Sequence, residues 1–279
     1  LYAFRESFRP EYGLARTPEN VYGVVSLIAW ALILTVSIKY IVFIMRADNR
    51  GEGGILALLA LIMQQRERLS KHWRATLIMT GLIGAALLYG DGVITPAITV
   101  LSAVEGLEVV TPTLSHLVVP LSVIILVVLF IAQKRGTAKI GWFFGPIMLV
   151  WFTVIGVTGA YAIRLHPHIL LAISPIYGVQ LFLNDGRIAF LLLGAVVLAV
   201  TGTEALYADM GHFGRKPIRL AWFAIVLPSL MLNYFGQGAM VLDNPASAEN
   251  PFFKLIPHLL LYPLIALATM AAVIASQAL

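Results

Sequence analysis

TLIMTGLIGAALLYGDGVITPAITVLSAVE, residues 76–105, runs for thirty residues with Asp91 as the only charge before Glu105. An apolar run longer than ~18 residues reads as a membrane-spanning helix. A carboxylate inside such a helix costs ~2.5 kcal/mol or more, so Asp91 must face a partner, a cavity or an ion rather than lipid. At ~100° per residue, Asp91, Thr95, Thr99, Ser102 and Glu105 share an arc of about 120°. The run therefore carries an oxygen-lined stripe along one face.

Pro96 donates no backbone hydrogen bond, which leaves the Gly92 carbonyl free in a regular helix. Gly90 and Gly92 admit a second backbone on either side of the carboxylate. Carboxylate, hydroxyl and carbonyl oxygens together are the ligand set of a hard cation. The plainer reading is a Gly/Pro kink whose polar groups only bridge helices. Intramembrane ionisable residues favour the ion pathway.

The rest of the chain has the same character. Of 279 residues, 59% are hydrophobic and 12% charged, and the mean hydropathy is +0.89. A soluble domain carries about twice that charge. The expected class is an all-α, polytopic membrane protein, multi-pass in the cell membrane, most simply a bacterial inner membrane. The chain contains no cysteine, which excludes disulfides and thiolate metal sites. No signal peptide is visible. Leu1 opens within a motif and the last apolar run continues to Leu279, so a fragment of a longer chain is expected.

Working outward, full spans are expected at about 21–45, 75–104, 117–133, 141–163, 188–207, 219–241 and 259–279, preceded by one partial helix, in a single transmembrane domain. Thr17-Pro18-Glu19 supplies a capping hydroxyl, a first-turn proline and an acid for the first of them. The connection 46–74 holds an eleven-residue apolar stretch, GGILALLALIM, too short to span and read as a helix on the cytoplasmic surface. RADNRGEGG (46–54) reads as a tight turn, since a phosphate loop needs a preceding strand and a Lys-Ser/Thr pair. Loops 46–74, 134–139 and 215–219 hold six, three and three basic residues, against six in all the alternate connections. That asymmetry places the first set in the cytoplasm. The net charge of +5 follows this topology, so no nucleic-acid partner is expected. Lys39 reads as a snorkelling side chain.

A second interrupted helix lies at GAVVLAVTGTEALYADMGHFG (194–214), where Thr201, Gly202, Thr203 and Glu204 stand together in an apolar run. Transporters build sites at such breaks. Polar contact between helices is the alternative. Asp209 reads as a surface partner of His212, Arg215 or Lys216. Asn233 and Gln237 share one face of the following span and either line the cavity or bond to a neighbouring helix. His166-Pro-His168 is not expected to hold a metal.

RADNRGEGG (46–54), YGDGVITPAITVLSAVEGLE (89–108), TGTEALYADMGHFG (201–214), IRLAWFAIVLPSLMLNYFGQGA (218–239) and NPFFKLIP (250–257) resemble the signatures of the KUP/HAK/KT family of potassium-uptake permeases. The resemblance covers essentially the whole chain, in the family's order. It implies a LeuT-type helical bundle of the amino acid–polyamine–organocation superfamily, with the ion site between family helices 1, 3 and 6. Leu1 would then begin in the outer half of helix 1, Asp91 would lie on helix 3 and Thr201–Glu204 on helix 6. The chain would stop in helix 8. The family's Gly-Asp-Ile-Gly-Thr-Ser-Pro motif would precede Leu1, and helices 9–12 and a cytoplasmic C-terminal region would follow. Some relatives have glutamate where Asp91 stands.

The implied function is secondary-active potassium uptake by proton symport, not enzymatic catalysis. Asp91, Thr95, Thr201, Thr203 and Glu204 are the expected ion-binding residues. Proton coupling requires a carboxylate that cycles between protonated and ionised forms; Asp91, Glu105 and Glu204 are the candidates, with Glu105 favoured for the proton and Glu204 for forming the site. No cofactor or resident metal is expected beyond the transported potassium and proton. The expected partners are potassium and the bilayer, with a homodimer left open. Rival readings are a proton-coupled amino-acid permease of the same fold and a potential-driven potassium uniporter. YGDG (89–92) and LYADMG (206–211) also raise an intramembrane aspartyl protease, but Asp91 and Asp209 differ in depth and neither local pattern matches.

Overall fold

The computed structural model describes residues 2–64, 70–133 and 143–277. The basic residues Arg66, Arg68, Lys134, Arg135 and Lys139, the start of the span expected from 141 and its counterpart's end at 279 lie outside them. Among the described residues every named element is helical. Six helices are long and apolar enough to cross a membrane, and two further helix pairs are bent.

The chain opens with α1 (Ala3–Glu6) and reaches α2 (Pro18–Arg46). Thr17 accepts a hydrogen bond from the Asn20 amide at 3.4 Å, with Pro18 in the first turn, which fixes the start of α2. Its middle, Leu32–Phe43, is π-helical, a wider winding that tends to occur at functional sites. Lys39 is exposed, its ammonium 5.1 Å from the Tyr40 ring centroid.

The turn after α2 is held by the Asn49–Glu52 backbone pair and by the Gly51 amide donating to the Asp48 carboxylate. It leads into α3 (Ile55–Gln64). This helix docks on α4 (Lys71–Val104): a Cβ on Gly84 would come within 2.6 Å of Ile55, and one on Gly81 would meet Leu59. Helix α4 starts at Lys71, ahead of the apolar run, because Ser70 caps it by accepting from the Trp73 amide at 3.3 Å. Its first two-thirds leave Leu82, Leu87 and Tyr89 exposed, Tyr89 to 82%. Apolar faces of that extent suit lipid rather than water. Gly90 faces open space, so no second backbone approaches there, contrary to the expectation from the glycines.

Then come α5 (Ser115–Gln133) and α6 (Phe144–Ile163). The stretch after α6, which hydropathy leaves as a connection, is helical: a 3-10 segment at Pro167–Ile173 and α7 (Pro175–Asn184), bent by 80°. Proline punctuation and short length hide both from a hydropathy reading. Asp185 caps α8 (Gly186–Leu198), which meets α9 (Thr203–Phe213) at 43°. The expected span 188–207 is thus two helices rather than one.

Helices α10 (Arg215–Asp243) and α11 (Leu261–Gln277) complete the bundle. α6 and α10 touch backbone to backbone, since a Cβ on Gly236 would lie 2.5 Å from the Gly159 Cα. Such small-residue contacts are what membrane helices use to approach closely. The interior divides into two apolar clusters. One surrounds Phe4, Ile28, Leu192 and Phe235; the other surrounds Val104, Trp151, Phe252 and Leu264.

Candidate ion site

The stripe on α4 faces inward as its spacing predicts, and neighbouring helices decide what each member meets. Asp91 and Glu204 line one cavity of about 420 Å³, walled by Tyr40 of α2, Ile55 and Leu58 of α3 and Leu87 of α4. The Thr95 hydroxyl donates to one Asp91 carboxylate oxygen at 2.7 Å. The other, Oδ2, is buried without a hydrogen-bond partner. A buried carboxylate oxygen with no donor is costly and marks a place for a cation or a proton. Glu204 faces Asp91 in the same cavity, close enough for the two carboxyls to share a hydrogen bond when one of them is protonated.

Glu204 is placed there by the break between α8 and α9. Leu198 ends α8, and Gly202 takes the left-handed conformation at φ +83°, which glycine adopts without steric penalty. The Thr201 hydroxyl donates back to the Val197 carbonyl at 3.1 Å, which also accepts from the Val200 amide at 3.0 Å.

Thr95, Thr201 and Thr203 line a second cavity of about 620 Å³, together with Tyr2, Thr99 and Asp209. The five expected ion-binding residues are thus divided between two neighbouring cavities. Ala205 lines both, and the Thr95–Asp91 hydrogen bond joins them.

Glu105 stands apart. It ends α4, fourteen residues and ~21 Å of helix rise beyond Asp91. Its Oε2 takes a hydrogen bond from the Arg5 guanidinium at 2.7 Å. Asp209 has no ion pair among the described residues; Arg215 pairs with Asp48 instead, at 3.5 Å. Asn233 donates to the Ile155 carbonyl of α6 at 3.3 Å and so binds helix to helix; it accepts from Gln237 of its own helix at 2.7 Å, and the Gln237 Oε1 is buried without a partner among the described residues. His166 bonds to Asp243 at 3.3 Å, and the described residues hold no cluster of three or more metal-ligating side chains.

Two site residues escape the sequence reading. Tyr40 brings a phenol into the carboxylate cavity, and Tyr2 sits against Thr99 in the threonine cavity. Tyr40 follows Lys39 near the end of a span, where an aromatic reads as an interfacial anchor. Nothing local marks Tyr2.

The integral membrane domain of the K+ potassium transporter family matches residues 1–279. Similar proteins include the probable potassium transport system proteins Kup 1 of Paramagnetospirillum magneticum (57% identical), Kup of Nitrosomonas eutropha (60%) and Kup of Myxococcus xanthus (59%). In each case 100% of this chain is covered and 43% of the relative, so the chain spans less than half the length of the proteins it matches. No solved structure matches it. With the family's membrane domain matched from end to end, the chain belongs to the K+ potassium transporter family and is a multi-pass membrane protein segment.

Proposed function

We propose that this segment builds the cation site of a secondary-active potassium importer that uses proton symport. The observation that carries the reading is Asp91: one oxygen held by Thr95, the other buried and unpartnered beside Glu204. Two carboxylates facing each other in an apolar cavity repel unless a cation or a proton lies between them. Potassium entry from the threonine cavity would meet the hydroxyls of Thr95, Thr201 and Thr203 first and the carboxylates second. In symport the two are carried inward together: the proton neutralises one carboxylate while the cation lies against the other.

Of the carboxylates offered for proton coupling, we favour Asp91 over Glu105, the one preferred from the sequence. The free oxygen of Asp91 is open to a proton, whereas Arg5 occupies Glu105. The architecture we propose is LeuT-type. Supporting it are the break at Gly202, the inward stripe on α4 and the short α1 standing next to both. The positive-inside rule sets the end bearing 46–54 and 215–219 in the cytoplasm, and Arg215–Asp48 brings those two segments together.

The test uses the complete gene in a host lacking potassium uptake. Potassium or rubidium entry is followed at acidic and neutral pH, with and without a protonophore, for wild type and Asp91→Asn. Entry that rises in acid, collapses with protonophore and is lost in Asp91→Asn supports the reading. Entry indifferent to pH at clamped potential keeps potassium and removes the proton. No potassium-dependent uptake despite protein in the membrane overturns the reading and points to amino-acid substrates.

A further inference from the structure

At the end of the bundle away from the basic loops lies a third, polar cavity of about 550 Å³, lined by Glu108, Ser115, Asn244, Ser247, Glu249 and Asn250 among others. Asn250 also lines a fourth, of about 10 Å³, which is bounded by Tyr2, Arg5, Ser102, Phe252 and Phe253. Tyr2 in turn lines the threonine cavity. Shared lining residues (Asn250, Tyr2 and Ala205) make the four spaces successive neighbours: polar basin, narrow neck, threonine cavity, carboxylate cavity. Their volumes run about 550, 10, 620 and 420 Å³.

The neck is the narrowest of the four, at about 10 Å³. A cavity needs roughly 10–15 Å³ to hold a single water. Arg5 fills it. Its guanidinium bonds to Glu105 on α4 at 2.7 Å and to Asn250 in the loop after α10 at 3.3 Å. Phe252 and Phe253, both buried and packed edge to face at 5.2 Å, close the other side. The planar fork of arginine suits this double hold, and its fixed positive charge opposes any cation at the neck.

We propose that Arg5 is the outer gate of the cation route: its pairing with Glu105 and Asn250 shuts the polar basin from the threonine cavity, and entry requires that pairing to part. The proposal deepens the potassium reading and rests on a cation passing through the threonine cavity. It gives Glu105 a role as the latch for Arg5, in place of a group that itself carries the proton.

Accessibility tests it without needing transport. In the complete protein, made free of any cysteine outside this cysteine-free segment, Thr99→Cys places a thiol in the threonine cavity. Whole cells are treated with a small, membrane-impermeant cationic thiosulfonate and the labelling rate per folded protein is measured. Slow labelling is expected with Arg5 present, and labelling about tenfold faster after Arg5→Ala, as expected when a charge-assisted pair that favours the shut state is removed. Glu105→Gln and Asn250→Ala should accelerate it less. The exchange of Arg5→Glu with Glu105→Arg should restore slow labelling. If Arg5→Ala does not reach the membrane, Asn250→Ala decides, since it removes a single hydrogen bond. An unchanged rate in whichever variant is present in the membrane overturns the gate. Accelerated labelling in a protein that moves no potassium would leave the gate standing and remove only the transport reading.

Discussion

Asp91 and Glu105 lie on the same face of the same helix, and the structure gives them opposite surroundings. Asp91 has a buried oxygen with no partner and a second carboxylate across a cavity. Glu105 has a guanidinium at 2.7 Å and a share of solvent, with about a quarter of its side chain exposed. The face of the helix puts both inward; what stands opposite decides their chemistry. A carboxylate left unsatisfied can take up an ion, and one already paired can only let go of its partner.

The sharpest way to break this contrast is Asp91→Asn. A unit charge about 4 Å from a cation contributes about 4 kcal/mol at an effective dielectric of 20, so potassium affinity should fall roughly a thousandfold. Rubidium binding to purified protein checks it, and a loss under tenfold would remove Asp91 from the site. Glu204→Gln comes next, at roughly a hundredfold, because Glu204 has no fully enclosed, unpartnered oxygen. The same binding assay ranks the two.

Thr95→Val takes away the hydroxyl that holds Asp91. A hydrogen bond to a charged group is worth about 1.5–3 kcal/mol, which predicts about a tenfold or greater loss in affinity, largely restored by Thr95→Ser. Unchanged affinity in Thr95→Val would remove the hydroxyl from the site, and a loss seen only in Thr95→Ser would assign the effect to the methyl group. The smallest effect is expected from Glu105→Gln: a partly exposed ion pair contributes about 0–1 kcal/mol, so binding at equilibrium should change by about fivefold at most. If Glu105→Gln weakened binding as much as Asp91→Asn, the contrast drawn here would collapse.

Local chemistry made part of this legible. The spacing of Asp91, Thr95, Thr99 and Ser102 fixes their common face, because helical period is a property of the backbone alone. Gly202 between two threonines announces the break, since only glycine takes its φ of +83° at little cost. Thr17-Pro18 starts α2 for equally local reasons. The rest depends on contacts across the chain. Arg5 meets Glu105 from a hundred residues away, and neither side chain carries a sign of the other. Asn233 looked equally able to line the cavity or to bind α6, and only the approach of Gly159 to Gly236 puts the Ile155 carbonyl in its reach. Of the partners expected for Asp209, His212 interacts with it electrostatically, whereas Arg215 pairs with Asp48 in the turn after α2.

That turn carries a mechanical consequence. A Cβ on Gly53 would overlap the Tyr207 carbonyl, Gly54 lies against Ala208, and the Tyr207 hydroxyl holds the Ala47 carbonyl at 2.5 Å. There is no slack between this turn and α9. The turn runs directly into α3, whose Ile55 and Leu58 wall the carboxylate cavity. Segment 47–54 is therefore a strut, packed without a gap against the helix that carries Glu204 and continuous with the helix that walls the room in which Glu204 works.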